Sequence, residues 1–362
     1  MQGGGGGLER LGWRPFFADG FTRIADEHLQ PGRVAVQHRN AYRVYVAEGD
    51  LPAELAGRLR HETADEAELP VVGDWVALRA RAGEGRATIH AVLPRQSRFS
   101  RNRAGRSTGE QVLAANVDVV FLVSALDDEV NARRIERYLT LAWDSGAEPV
   151  VVLSKADLAS DAGDGERAVR AIALGVPVHV VSGRTGVGLE HLRPYLAGDR
   201  TAALLGPSGV GKSTLINALI GSAVQAVAEV RERDRKGRHT TTRRELLALP
   251  GGGLLLDTPG MRELQLWEGS EGLRETFEDV EQLASGCRFT SCHHESEPGC
   301  AVTEAVAAGL LSEARLISYH KLQREIRHLD ARRDVQARQR EQGRVKAATK
   351  GLRARVRAKR GD

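Results

Sequence analysis

The sequence predicts an α/β protein in three parts: a small β-barrel, a mostly parallel sheet wrapped by helices, and a helical C-terminal region carrying cysteines. Three observations predict it. From Asn116 to Leu256, continuous apolar runs alternate with helical spacing, the texture of strands buried on both faces. Upstream, about 60 residues hold five short runs separated by turn residues. Downstream, three cysteines and two histidines crowd between Cys287 and Cys300, the cysteines too few and too close for a disulfide framework.

Composition bounds the function. The 362 residues suffice for two or three domains, and 41% hydrophobic with 28% charged residues is ordinary for a globular chain. No apolar run reaches the ~18 residues of a membrane span, so no membrane partner is expected. The Met1–Gly7 run has neither the basic nor the apolar region of a secretory leader, which makes the cytoplasm the default compartment. The net charge of +4 is uneven: Arg315–Asp362 holds 16 Lys+Arg against 5 Asp+Glu, a local +11 that leaves −7 for the rest. A cationic end on an acidic body points to a polyanionic partner, against the plainer reading of a solvated, charge-rich helix.

Residues 1–30 read as a mobile N-terminal extension with one short helix. Within 31–98, strands are expected at Arg33–Arg39, Tyr42–Ala47, Glu54–Arg60, Asp74–Arg79 and Ala87–Leu93, with turns at Glu48-Gly49-Asp50, Gly73-Asp74 and Gly83-Glu84-Gly85. Five strands in this space fit an oligonucleotide-binding (OB) type barrel, and an SH3-like barrel fits equally at this level. Within 99–268, strands are expected at Val117–Val123, Pro149–Leu153, Val176–Val181 and Thr201–Leu205, helices over Asn131–Trp143 and from Leu215, and a hairpin of Leu246–Leu249 with Leu254–Leu256. Residues 269–362 turn helical and polar, and from Arg333 too few large apolar residues remain for a core.

The chemistry lies at strand ends. Gly206-Pro207-Ser208-Gly209-Val210-Gly211-Lys212-Ser213 matches G-x-x-x-x-G-K-[ST] between a strand and a helix, the context a phosphate-binding loop requires. Its glycines let backbone amides wrap phosphates at a helix N-terminus. Gly206, Ser208, Gly209, Val210, Gly211, Lys212, Ser213 and Thr214 are the expected contacts, with Lys212 on the β- and γ-phosphates and Ser213 on Mg²⁺. Asp257-Thr258-Pro259-Gly260 ends another strand, placing Asp257 for a water-mediated Mg²⁺ contact and the Gly260 amide toward the γ-phosphate. Ser154-Lys155-Ala156-Asp157 is similar to the [NT]-K-x-D signature, in which the Asp accepts from N1–H and the 2-amino group of guanine. Ser182 and Gly183, ending a further strand, complete the base pocket. Serine in place of Asn or Thr shortens the side chain, so weaker loop-to-loop hydrogen bonding is expected at Ser154.

The order is permuted. GTPases ordinarily place the phosphate loop first and the guanine-reading loops last; here the latter come first and Asp257–Gly260 comes last. Strand ends on one face of a sheet converge whatever the connectivity. The chain leaving Gly260 runs toward the C-terminal region, so nucleotide state is expected to reposition that region.

This order, with a barrel before it and a Cys/His cluster after it, resembles the RsgA (YjeQ/YloQ) family of small-ribosomal-subunit-dependent GTPases over roughly Arg33 to Leu329. Gly237-Arg238-His239-Thr240-Thr241-Thr242 resembles that family's switch I, and Phe277-Glu278-Asp279-Val280 precedes the cysteines as in the family. The resemblance implies a circularly permuted P-loop GTPase domain with an N-terminal OB-type barrel and a C-terminal helical zinc-binding domain. It places Thr241 on Mg²⁺ with Ser213, and His239 beside the attacking water. Catalysis would then rest on Lys212, Thr241 and His239. Met261 stands where Ras-like enzymes carry a water-orienting Gln, and a thioether cannot do that, so slow intrinsic hydrolysis is expected.

Cys287, Cys292, His294 and Cys300 supply three thiolates and an imidazole, a closed set suited to one structural Zn²⁺. His293 is the rival ligand, and family spacing favours His294. The basic tail lacks interleaved aromatics, so it is expected to track phosphates rather than read bases, as are Arg95, Arg98, Arg101, Arg103 and Arg106. The resemblance implies 16S rRNA in the 30S subunit as the ligand of a monomer that binds GTP and GDP. The resulting expectation is a GTPase that assists late 30S maturation with subunit-stimulated turnover. The alternatives are a GTP-controlled rRNA-binding scaffold with incidental hydrolysis, and an unrelated P-loop ATPase with a zinc finger.

Overall fold

The computed structural model describes residues 7–24, 26–38, 41–63, 65–81, 83–102, 110–126, 130–159, 162–221, 244–249, 252–257 and 270–331. His239, Thr241, Gly260, Met261, Arg103, Arg106 and the tail from Arg332 fall outside these residues.

Five strands form the barrel: β1 (Gln30–His38), β2 (Ala41–Val46), β3 (Gly49–Leu55), β4 (Trp75–Arg81) and β5 (Arg86–Val92). Their order is β1-β2-β3-β5-β4, closed by β4 pairing with β1. The β3–β5 pairing is parallel. That order with one parallel pair is the OB arrangement and decides against an SH3-like meander. Val34, Tyr42, Val44, Val76, Leu78 and Ile89 fill the interior.

Two barrel expectations change. The strand placed at Glu54–Arg60 lies earlier, at Gly49–Leu55, and is followed by helix α2 (Gly57–Glu62). The turn is the tight Ala47-Glu48 connection, because Val46 already pairs with Gly49. The described part of the N-terminal segment, from Gly7, is packed rather than loose. Helix α1 (Pro15–Thr22) starts on Pro15 and buries Phe17 at 2% exposure, with Trp13 stacked edge-on against barrel residue Trp75 at 4.7 Å. Arg14 bridges Asp118 (2.6 Å) and Asp199 (2.7 Å), beneath the second sheet. Buried Arg33 donates to the carbonyls of Leu11, Gly73 and Asn116, one from each region it joins. A buried guanidinium loses solvation, and three carbonyl acceptors offset that loss.

The expected basic linker is a hairpin, β6 (Arg98–Asn102) with β7 (Glu110–Ala115). The described arginines of this stretch are engaged. Arg95 pairs with fully buried Asp74 at 2.8 Å and donates to the Ala67 and Leu69 carbonyls, so it is a structural residue and not a free phosphate contact. Arg98 pairs with Glu110, and Arg101 donates to Gln111.

The second sheet comprises β8 (Val119–Ala125), β9 (Glu148–Ser154), β10 (Val178–Val180), β11 (Thr201–Leu205), β12 (Arg244–Ala248) and β13 (Leu254–Asp257), in the order β10-β9-β8-β11-β13-β12. All are parallel except β12, which forms the expected hairpin with β13. Alternate residues of each strand feed two cores. Val120, Leu122, Val151 and Leu205 face α3 (Ala132–Ser145) and α4 (Ala162–Arg170). Val119, Phe121, Val150 and Leu204 face α5 (Lys212–Ile220). Asn131 caps α3 by accepting from the Arg134 amide, and Gly146 ends it at φ 82°. β12 also pairs with β1, so the two sheets are one ladder of eleven strands.

The C-terminal region holds α6 (Ser270–Thr276), α7 (Glu278–Ala284), α8 (Ala301–Ala307) and α9, helical over 313–331. It is tied to α3. A Cβ on Gly272 would collide with the Thr140 carbonyl, so glycine permits that approach of α6. Arg315, 4% exposed, donates to Glu136 (2.8 Å), to both oxygens of Asp279 and to the Thr276 carbonyl, over the face of Phe277. Among the described residues, no helix is long and apolar enough to cross a membrane.

Candidate functional site

The C-terminal ends of β8, β9, β10, β11 and β13 lie along one edge of the sheet, where parallel strands present their loops. The loop after β11 must pass close beneath β8: a Cβ on Gly206 would strike the Val123 carbonyl oxygen. Gly209 (φ 82°) and Gly211 (φ 90°) adopt left-handed backbone that curls the loop into α5. Lys212 donates through Nζ to the carbonyls of Gly206 (2.7 Å) and Pro207 (2.5 Å), which holds the ammonium within the curve. Ser208, Ser213 and Thr214 are exposed there, whereas Val210 is buried and anchors the loop.

Ser154, at the end of β9, is 2% exposed and donates to the Val210 carbonyl at 2.6 Å, with the Ser124 carbonyl at 3.2 Å. The expected loss of loop-to-loop bonding therefore does not occur. β9 approaches the phosphate loop closely enough for a one-carbon hydroxyl to reach, with Ser154 Oγ 3.9 Å from where a Gly211 Cβ would stand. Lys155 takes the left-handed turn (φ 60°) that swings Asp157 outward. There Ser182 Oγ donates to Asp157 Oδ1 at 2.6 Å and accepts from the Thr185 amide. The Ser182 hydroxyl holds the Asp157 carboxyl below the usual carboxylate range. Asp157 is thus an ionised, exposed acceptor with a fixed orientation.

Gly183 closes the arrangement. A Cβ there would come within 3.1 Å of the Leu215 nitrogen and 3.2 Å of the Thr214 carbonyl carbon, so the Ser182–Gly183 loop lies on the first turn of α5. Asp257 ends β13 opposite Glu245. Lys212 and Asp157 therefore belong to one connected edge, linked through Ser154, Ser182 and Gly183. A separate cleft of ≈ 890 Å³ between the barrel and α3, lined by Trp143, His90 and Glu271, lies elsewhere.

The Cys/His window is assembled as read. The ligand atoms of Cys287, Cys292, His294 and Cys300 lie within 4.8 Å of one another. Tetrahedral Zn²⁺ with the usual bond lengths has S–S edges of ~3.8 Å and S–N edges of ~3.6 Å. Cys287 Sγ is 3.8 Å from Cys300 Sγ, and His294 Nδ1 is 3.5 and 3.4 Å from the same two sulfurs. The residues fit the ion. His294 turns inward on a left-handed backbone (φ 60°) and is buried, while His293 is exposed, which settles the rivalry. Glu297 accepts from the amides of His293, Glu295 and Ser296 and so shapes the loop.

Sequence reasoning missed Ser124, Thr185 and the Glu136–Arg315–Asp279 cluster. A Glu on the core-facing side of α3, adjacent to Ile135, was the available signal for the last.

A phosphate loop, a carboxylate poised beside it for a base, and the order in which they occur define a circularly permuted P-loop GTPase. A family model described as RsgA GTPase matches residues 92–267. The Small ribosomal subunit biogenesis GTPase RsgA of Opitutus terrae is 50% identical over 97% of this chain and 98% of its own, and that of Streptomyces coelicolor is 45% identical over 91% and 90%. The crystal structure of YjeQ from Thermotoga maritima covers 82% of this chain and 98% of its own at TM-score 0.63 and 31% identity. That of YloQ, a circularly permuted GTPase, covers 83% and 96% at TM-score 0.59 and 26% identity. The chain belongs to the RsgA GTPase family.

Proposed function

We propose that this chain binds the 30S ribosomal subunit through 16S rRNA, hydrolyses GTP when the subunit stimulates it, and thereby assists late maturation of that subunit in the cytoplasm as a monomer. The observation that carries the reading is the contact between the two halves of the site: Ser154 bonded to the phosphate loop, and Gly183 seated on α5. A pocket built this way holds one nucleotide at both ends.

The roles follow from charge. Asp157 accepts the two guanine donors, a pair adenine lacks, and Ser182 and Gly183 flank the base. Gly206, Ser208, Gly209, Val210, Gly211 and Thr214 present the phosphate cradle, and Lys212 neutralises the β,γ-oxygens. Ser213 and Thr241 would hold Mg²⁺, with Asp257 acting through water, and the ion would add to the charge neutralisation. His239 positions the attacking water, and the Gly260 amide senses the γ-phosphate. Cys287, Cys292, His294 and Cys300 hold one structural zinc, which fixes a loop too polar to hold itself. We divide the chain at 31–98, 99–268 and 269–362 accordingly, and assign the basic tail to rRNA phosphates.

The test is GTP turnover by the purified protein titrated with 30S, 50S and 70S particles. Strong stimulation by 30S supports the proposal. Tight GTP-dependent 30S binding without stimulation would replace it by the scaffold reading, and ADP competing as well as GDP would refute the guanine pocket.

A further inference from the structure

The barrel and the nucleotide-site sheet meet at β12, the strand that the segment carrying His239 and Thr241 enters. Among the described residues, two register pairs join β1 to β12: Val36 with Glu245, and Gln37 with Arg244. Toward Leu246 the ladder ends where β1 carries a bulge between Val34 and Val36, which turns it away into the barrel. At the next position of β12, the Leu246 carbonyl accepts a hydrogen bond from the Tyr45 hydroxyl at 3.1 Å. Tyr45 lies on β2 opposite Arg33, and the alternation of the strand puts Tyr42, Val44 and Val46 inside the barrel and Tyr45 outside it. Its side chain spans the gap the bulge opens.

We propose that Tyr45 is a positioning residue for the nucleotide site, its hydroxyl forming the third rung between the barrel and the strand that leaves switch I. The inference rests on the GTPase reading above and goes beyond it by naming the bond through which a load on the barrel reaches the switch. Two features favour this route. On its far side β12 is bonded to β13, where Glu245 sits opposite Asp257, so a shift of β12 is felt directly at the nucleotide edge. The C-terminal helices, by contrast, are fixed to α3 through buried Arg315 and Glu136 and move with it. A hydroxyl bond can break without unfolding either sheet, so this contact at β12 can respond to load while the buried Arg33–Asn116 contact on the other side of the barrel holds.

The experiment compares the full-length protein with Tyr45→Phe, which keeps the ring and removes only the donor. The expected result is an unchanged denaturation midpoint, GDP affinity and basal hydrolysis, with the 30S-saturated kcat reduced about five- to tenfold, the scale of one neutral hydrogen bond. The 30S concentration at half-stimulation should stay the same, because Tyr45 does not touch the subunit in this proposal. Full stimulated kcat in the variant overturns the proposal. So does a parallel loss of stability and basal rate, which marks a purely structural bond.

Hydrogen exchange provides a readout independent of any ribosomal particle. Replacing GDP by a non-hydrolysable GTP analogue should alter protection in β1 and β2 of the wild type, and the difference should vanish in Tyr45→Phe. Identical nucleotide-linked differences in both proteins overturn the proposal. Failure of the wild type to respond to any particle would instead refute only the subunit-stimulated reading.

Discussion

Replacing Arg315 by Met should detach the C-terminal helices from the nucleotide domain. Arg315 is 4% exposed, and its guanidinium satisfies Glu136 at 2.8 Å, Asp279 at 3.0 and 3.1 Å, and the carbonyls of Thr276 and Ile172. Glu136, 2% exposed, then keeps, among the described residues, the Ser318 hydroxyl as its donor at 2.5 Å. Asp279 is partly solvated and can rehydrate, so the cost falls on Glu136. An uncompensated buried carboxylate of this kind costs about 3–5 kcal/mol. The assay is urea unfolding followed by both tryptophan fluorescence and far-ultraviolet circular dichroism. The expected outcome is a lower midpoint, with an early transition reporting the helices as they part from α3. The control is Glu136→Gln combined with Arg315→Met, which removes the stranded charge and should recover more than half of the loss. A single-variant loss below about 1 kcal/mol, or a double variant no more stable than the single one, refutes the argument that a buried ion pair fixes this junction.

Three further outcomes follow from the site. Ser154→Ala strands the Val210 carbonyl and unties the base loop from the phosphate loop, so GDP affinity measured with a fluorescent analogue should fall roughly tenfold, the scale of one lost buried hydrogen bond. Because Ser182 holds Asp157 ionised below the usual carboxylate range, GDP binding should not change between about pH 5 and 8 on its account. The sign is that of a depressed acid: the favourable bond is present at neutral pH and is lost only as pH falls through the lowered pKa, and Ser182→Ala should move that loss to higher pH in an affinity titration. One equivalent of zinc should be released on denaturation with a thiol-reactive mercurial in the presence of a colorimetric chelator. Cys300→Ser should abolish it and lower the unfolding midpoint, while His293→Ala should leave the equivalent intact.

What could be read from the sequence was what local pattern encodes. Thr201–Leu205 is apolar throughout because it is buried on both faces, and its strand was placed to the residue. The phosphate loop and the cysteine spacing are chemically constrained over a dozen residues and were equally plain. Pairings distant in the chain were not. Arg95 reads as one of a run of basic residues until Asp74 is found beneath it, and nothing near Glu136 in the chain announces Arg315, which arrives from 179 residues away. The misplaced third strand shows the same limit: Glu54-Leu55-Ala56-Gly57-Arg58-Leu59-Arg60 alternates weakly, but the hairpin with β2 determines which part is strand. Ser154 was misjudged because side-chain reach was estimated without knowing how closely β9 approaches the loop.

The permuted order acquires a different meaning from these attachments. Taken from connectivity alone, the region after Gly260 should swing with nucleotide state, since it is the next stretch of chain. Yet α6 is locked to α3 at Gly272, and α9 is locked to α3 by Arg315 and by the bidentate Arg137–Glu325 pair. Among the described residues the barrel meets the nucleotide domain at β12, through Val36–Glu245, Gln37–Arg244 and the Tyr45 hydroxyl, and again at Asn116, whose carbonyl accepts from Arg33 and whose side-chain amide donates to the Gly73 carbonyl. Motion follows the weaker attachment, whatever the order of the chain. In this molecule the C-terminal helices, held on α3, extend the nucleotide domain as a fixed arm, so the order of the chain alone does not decide which part moves.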